Sequence, residues 1–392
     1  MKILGGLLGV IVLTICSIII IEIDFSDDEN LDKFIETKMK AMEAKGLAVA
    51  FIKDGKISWL KNYGFANVET GEKITDETIF QIASVSKPVT GVAIMQLYEK
   101  GLIDLDVSIN QYLPFEIVNP NFPNHTITVR MLLQHKSSLI DSDPAYRSTF
   151  TILRGSPDPD MTLEQLVRNY YLVGGNLYDR EGNFSKKQPG EEEDYSNVAF
   201  GLLGFIAEQV TGQAFNVYCN ENIFSSLGMT STGWFTTEID LENFSVQYDG
   251  ETPLKPYGVA SYPDGGLKTT VSDFSKFLIA IMNGGEYHGQ RILKQSSVDE
   301  MMPENPDDNL VWAPDVFSDL MVDTDGHPVP GHLGGDPGVS SFVGFNASKD
   351  RGVIVFMNGS QSLISPSPFM LVKMMNYRAP YRRLAKEAGL FQ

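Results

Sequence analysis

Apolar positions recur at helical spacing over residues 27–45, where Leu31, Phe34, Ile35, Met39 and Met42 form one stripe that Gly46 ends. The pattern then changes period. Residues 47–52 and 56–63 read as two strands joined at Asp54-Gly55, a two-residue hairpin turn. A buried helix starts at Ser84, passes Val92, Ala93, Met95, Gln96 and Leu97, and stops at Gly101. Pro88 sits in its first turn, where a missing N–H costs nothing. Short helices are expected over residues 129–134 and 163–172, and longer ones over 195–211, closed by Gly212, and 215–227. Residues 265–271 read as extended, with Ser272 capping a helix over 273–282. From Gly331 the pattern is strand-like again, through 339–345 and 352–357. A last helix is expected over 370–390, with a basic side at Arg378, Arg382, Arg383 and Lys386. Strands at both ends and helices between them predict an α+β fold, a sheet lobe carrying an inserted helical lobe over roughly residues 88–260. The crevice between such lobes is a common place for a site.

The first segment stands apart. Met1-Lys2 precedes an apolar run over residues 3–21, broken only by Thr14 and Ser17 and about the length a bilayer-spanning helix needs. A cleavable signal would have a shorter core and a small-residue cleavage site. Here the run continues through Ile18, Ile19, Ile20 and Ile21 into Glu22. Residues 1–24 are therefore expected to be an uncleaved signal anchor, with Lys2 inside and the acidic stretch 24–29 outside. Residues 25–392 would then be a membrane-anchored body outside the cytoplasm, or a secreted one if the segment is cut.

Charge narrows the partners. Over 392 residues, 31 Lys and Arg against 50 Asp and Glu leave a net charge of −19, which argues against nucleic acid. Cys16 lies in the apolar segment and Cys219 stands alone, so no internal disulfide is expected and Cys219 reads as a small core residue. His327 and His332 lack an acidic or cysteine ligand set at metal-binding spacing, so neither metal nor other cofactor is expected. Oligomeric state is not legible.

Three short patterns carry candidate chemistry. Ser84-x-x-Lys87 lies at a helix start, where residues three apart share a face and a lysine amine can take a serine proton. The dipole and free N–H groups there favour an oxyanion. The rival reading is an N-cap serine with a solvated lysine. Ser58-x-x-Lys61 also matches, but it lies on a predicted strand, where residues three apart point to opposite faces. Tyr195-x-Asn197 heads a helix, where a tyrosine hydroxyl can relay a proton and an asparagine can orient an amide. Tyr218-x-Asn220 lies within a helix and reads as packing. His332-Leu333-Gly334-Gly335 opens a strand whose glycines let a substrate backbone approach, and the Gly335 N–H can pair with that of Ser84 as an oxyanion hole. The rival there is a glycine-rich turn with a surface histidine.

Ser84-x-x-Lys87, Tyr195-x-Asn197 and His332-x-Gly334, in that order, resemble the penicillin-binding and β-lactamase-like serine hydrolases, specifically the class C branch. Segments 80–102, 131–139, 189–212, 265–277 and 331–346 share the likeness. The family fold is a mixed antiparallel sheet flanked by terminal helices, plus an all-helical lobe. By resemblance, Ser84 is the nucleophile that forms an acyl-enzyme, and Lys87 and Tyr195 share the proton work, with the base left open between them. Asn197, His332, Gly334 and Gly335 are implied as substrate-binding residues. A lysine that binds carboxylate in true lactamases is replaced here by His332, mostly neutral at pH 7. The acidic run Glu191-Glu192-Glu193-Asp194 precedes Tyr195 and would disfavour anionic substrates if it faces the site; the alternative is a solvated loop. The family's usual glycine is Ser138 here. The implied activity is hydrolysis of an amide or ester, with D-amino-acid peptides first, carboxylic esters second, and a penicillin-binding sensor that acylates without turnover as the other class.

Overall fold

The computed structural model describes residues 28–41, 44–303, 305–312 and 329–360. The expected N-terminal anchor and the helix over 370–390 lie outside the described residues. Contacts divide the chain into residues 1–38 and 39–392. Helix α1, Asp28–Ala41, runs across that division.

The hairpin forms as its turn dictates. β1 (Gly46–Lys53) and β2 (Lys56–Asn67) pair antiparallel around Asp54 and Gly55, whose φ values of 51° and 70° match the twist of a tight two-residue turn. The short β3 (Glu72–Lys73) pairs with β2. Three strands from far along the chain, β4 (Gly331–Asp336), β5 (Val339–Phe345) and β6 (Arg351–Met357), complete a six-stranded antiparallel sheet in the order β4-β5-β6-β1-β2-β3. In the join between the two groups, Ala48 lies opposite Phe356 and Ala50 opposite Ile354. Ser58 lies on β2 and its hydroxyl donates to the Phe51 carbonyl, so the second serine–lysine match is sheet structure.

β1 and β6 are buried almost from end to end, unlike an alternating half-exposed sheet. Helix α6 (Val271–Met282) packs on both, and Phe274 lies edge-on to Phe356 with ring centres 5.7 Å apart. Each such aliphatic or aromatic side chain contributes about 1.5–3 kcal/mol on burial. The cap of α6 is Thr270, whose hydroxyl accepts from the Asp273 N–H, rather than the expected Ser272, which is already inside the helix. Only Lys268–Thr269 of the expected extended stretch is strand, pairing with Phe80–Gln81.

The helical part includes α2 (Lys87–Glu99), α3 (Val129–Leu133), α4 (Leu163–Tyr171) and α5 (Val198–Thr211), which packs on the other three. Two glycines press α5 onto the loop before β-strand 268–269. A Cβ on Gly204 would sit 2.5 Å from Pro263, and one on Gly201 would sit 3.1 Å from Ser261. Helix α5 starts at Val198, three residues later than expected, so Tyr195 lies in the approach to it and Asn197 is its N-cap residue, already in helical backbone conformation. Residues 215–227 are helical as expected, with a wider turn over Asn220–Phe224.

Candidate active site

Ser84 does not open the α-helix directly. Residues Ala83–Ser86 form a 3-10 turn, and α2 begins at Lys87. In a 3-10 turn side chains three apart eclipse, which superposes Ser84 on Lys87 more closely than an α-helical turn would. Ala83 takes φ = 46°, a left-handed conformation costly for a residue with a Cβ. Hydrogen bonds hold the turn in place: Ser86 donates to the Ala83 carbonyl at 2.6 Å, and Ser341 on β5 donates to that of Ile82 at 2.6 Å.

Lys87 is fully buried. Its ammonium donates to Ser84 Oγ at 2.9 Å, to Asn197 Oδ1 at 2.7 Å and to the Asp264 carbonyl at 3.1 Å. It also lies 4.9 Å from the centre of the Tyr195 ring. The Tyr195 hydroxyl lies near enough to Lys87 and Ser84 for both to act on it: burial pushes its pKa up, and the Lys87 charge, then the Lys87 and Ser84 side chains, pull it back. A serine, an amine and a phenol are thus gathered in one cluster.

Asp141 fixes this arrangement from behind. It accepts from the backbone N–H groups of Asn197 and Val198 at 2.7 and 3.1 Å, from the Asn197 amide at 2.8 Å and from the Ser196 hydroxyl at 2.9 Å. These bonds cap α5 from a distant segment and explain its late start. They also turn Asn197 Oδ1 toward Lys87. Burial raises the Asp141 pKa, and the bonds from the Asn197 and Val198 N–H groups and the Ser196 hydroxyl, with the Lys87 charge, oppose the rise. His135 stacks on Tyr195 at 4.2 Å between ring centres, and its Nδ1 accepts from the Ser196 N–H. His135 and Ser138 both take left-handed backbone, with φ of 57° and 62°, so Ser138, where the family resemblance implies glycine, holds a glycine-like conformation.

His332 is fully buried, not a surface histidine. Burial, then the charge of Lys87, lowers its pKa to about 3, so the ring is neutral at pH 7. Its Nδ1 lies 2.6 Å from the Leu333 carbonyl, which accepts only, so Nδ1 carries the proton. His332, Gly334 and Asp336 alternate onto one face of β4. There a Cβ on Gly334 would come within 2.5 Å of the Ile82 carbonyl and 3.1 Å of the Ser84 nitrogen, so only glycine fits against the serine turn. The Phe345 N–H bonds the Pro330 carbonyl, which sets the phase of the β4–β5 ladder. By alternation Gly335 points its N–H off the sheet edge, and a Cβ there would meet open space.

The structure therefore brings Ser84, Lys87, Tyr195, Asn197, His332 and Gly334 together, with Gly335 at the rim. Sequence reasoning missed Asp141, His135, Tyr146 and two further aspartates. Asp264 is buried beside Lys87. Burial raises its pKa to about 7, against the pull of the Lys87 charge, and Tyr146 donates to its Oδ1 at 3.3 Å. Asp336, at the end of β4, is held well above the usual carboxylate range by burial and then by Asp264. The only hint in the chain was position, within four residues of a recognised motif in the case of Asp336. A cleft of about 610 Å³ reaches Tyr195 between Lys136, Glu191, Glu192, Glu193, Asp194 and Asp307, so the acidic run lines the mouth.

A family model described as Beta-lactamase matches residues 31–365. The chain belongs to the β-lactamase family. Protein flp of Staphylococcus aureus (strain N315) is 27% identical over 335 residues, covering 84% of this chain and 63% of the relative. Penicillin-binding protein 4* of Bacillus subtilis (strain 168) is 25% identical, covering 80% and 68%. The chain thus spans less than two thirds of the length of flp. Among solved structures, the octameric penicillin-binding protein homologue from Pyrococcus abyssi superposes with a TM-score of 0.71 at 25% identity, covering 93% of this chain and 77% of that one. The D-amino acid amidase from Ochrobactrum anthropi SV3 gives 0.69 at 23% identity, covering 92% and 98%, a likeness of fold. The fold is that of the β-lactamases and transpeptidases, and the family is one of serine hydrolases.

Proposed function

We propose that this protein is a serine hydrolase that cleaves an amide bond of a D-amino-acid peptide or amide through an acyl-enzyme on Ser84. The observation that carries the reading is the 2.9 Å bond between Lys87 Nζ and Ser84 Oγ, inside a cluster closed by Tyr195. Ser84 Oγ attacks the carbonyl carbon while its proton passes to the unprotonated member of the Lys87–Tyr195 pair, a Lys87 amine or a Tyr195 phenolate. The C–N bond then breaks, and the leaving amine takes that proton. Water attacks the ester in the same way, returning a proton to Ser84 Oγ and releasing the acid. The N–H groups of Ser84 and Gly335 receive the oxyanion. A neutral His332 offers no countercharge to a carboxylate, which weighs against strong lactamase activity.

An ester uses the same groups and differs only in its leaving oxygen, so carboxylesterase activity is the second reading. Residues 1–24 are proposed to anchor the catalytic body outside the cytoplasm, which protease accessibility on intact cells tests. The test of the reaction is intact-protein mass after exposure to a fluorophosphonate and, separately, to a penicillin, for wild type and Ser84→Ala. An adduct on wild type alone is expected with the fluorophosphonate. No adduct on folded wild type with either probe would remove the catalytic reading.

A further inference from the structure

For stability alone, His135 is a poor residue where it stands. Its backbone is left-handed, with φ = 57°, which is costly for any side chain with a Cβ. Its ring is buried, and Nδ1 accepts from the Ser196 N–H at 3.1 Å. Burial, then Lys87 and His332, keeps the imidazole neutral at pH 7, so its proton sits on Nε2. Among the described residues Nε2 has no hydrogen-bond partner. A buried N–H left unpaired is a second cost. Glycine would relieve the backbone and phenylalanine would remove the orphan donor, and histidine does neither. Costs of this kind persist at a position where they serve the site.

What His135 does is grip the loop that carries Tyr195. Its contacts reach three successive residues. The His135 carbonyl accepts from the Asp194 N–H at 2.8 Å. Its ring stacks on that of Tyr195, with centres 4.2 Å apart and planes 28° apart. Its Nδ1 takes the Ser196 N–H. The backbone on both sides of Tyr195, and the Tyr195 ring itself, are thus held by one residue. The base of the grip is firm. The His135 N–H bonds the Leu132 carbonyl at 3.2 Å at the end of α3, which packs on α5, and the Phe200 ring of α5 lies 5.1 Å from the imidazole. Next to it, the Lys136 carbonyl accepts from the Gly190 N–H at 2.7 Å, a further stitch to the same loop. Residues 193–196 belong to no helix or strand, so no ladder of their own fixes the phenol. Misplacing a reacting group by about 1 Å can cost on the order of 10²-fold in rate.

We propose that His135 is a positioning residue for Tyr195: by gripping residues 194–196 it fixes the phenol hydroxyl beside Ser84 and Lys87, with the ring stack and the Nδ1 bond each carrying part of the hold. The proposal rests on the Ser84 reading above. The two functions of the ring separate by substitution. In His135→Asn the amide oxygen takes the place of Nδ1 and the left-handed backbone is tolerated, but the stack is gone. In His135→Phe the stack stays and the acceptor is gone. His135→Gly removes both and relieves the backbone.

The test is the rate at which a fluorophosphonate labels Ser84 on the full chain, followed by intact-protein mass over time and probe concentration to give kinact and KI. Thermal melts show which variants fold. Each folded variant is expected to lose tenfold or more in kinact, His135→Gly the most, with KI within threefold of wild type. The same substitutions are then made on Tyr195→Phe. There kinact is expected to change less than twofold, because the hydroxyl they position is already gone. A merely structural role would slow both backgrounds alike. A folded variant that keeps the wild-type kinact overturns the proposal. So does a loss that persists in full on Tyr195→Phe, and so does the failure of all three variants to fold. Absence of labelling in wild type instead removes the reading of the site as a serine hydrolase.

Discussion

Among the described residues Lys87 and Lys268 are both buried, and only Lys87 sits among reactive groups. Lys87 meets a serine and an amide oxygen beside a phenol, that of Tyr195, which lines an open cleft. Lys268 donates to the backbone carbonyls of Trp234 and Gly266, at 3.0 Å each, with no side-chain acceptor on its ammonium in those bonds. Burial lowers the Lys268 pKa to about 8, with Asp158 and Glu238 acting the other way from a distance. A perturbed, buried lysine is thus as much at home in a structural role as in a chemical one. What separates the two is a nucleophile within reach and a path for substrate.

The sharpest way to break the comparison is at the nucleophile. Ser84→Ala should reduce turnover by something on the order of 10⁴- to 10⁶-fold, while thermal stability changes little. Lys87→Met should also abolish acylation, and it should destabilise the fold, because Asp264 and Asp336 lose the nearest buried cation. Breaking one side of such a charge set costs about 3–5 kcal/mol, measurable as a drop in denaturation midpoint. Tyr195→Phe keeps the ring that stacks on His135 and removes only the hydroxyl. A loss of roughly 10²- to 10⁴-fold in kcat with an unchanged melting point is expected; unchanged kcat would take Tyr195 out of the proton work.

Smaller effects sharpen the contrast. Asp141→Ala strips partners from two backbone N–H groups, the Asn197 amide and the Ser196 hydroxyl, and should cost about 1–3 kcal/mol by chemical denaturation. Lys268→Met should leave fluorophosphonate labelling close to the wild-type rate. Its signature is in the pH dependence of stability. Between pH about 8 and 10.5 the unfolded chain still holds a proton that native Lys268 has released. The unfolded state binds more protons there, so stability rises with pH across that window, by something of order 3 kcal/mol. The variant should lose that rise, and melts at pH 7.5 and 10.5 would show it.

The sheet was legible because its signals are local. Asp54-Gly55 dictates a hairpin, and the apolar runs of β1, β5 and β6 need no distant information to read as strands. Helix starts were less legible. Val198 rather than Tyr195 opens α5, because the capping carboxylate belongs to Asp141, far away in sequence. Thr270 rather than Ser272 caps α6, a difference of two residues that both side chains fit chemically. His332 showed its type in the sequence but not its burial, which the packing of β4 over the serine turn decides.

By itself the sequence determined which groups were available and in what order: a serine and a lysine one turn apart, a tyrosine and an asparagine two apart, and a histidine before two glycines. Those spacings are short enough for backbone geometry to fix which side chains share a face. Only the tertiary structure decided their company. It joined strands from both ends of the chain into one sheet, carried Asp141 to the start of α5, and buried Asp264 and Asp336 beside a single lysine. Charge in a water-poor interior acts through distance and desolvation, and neither is set by spacing along a chain.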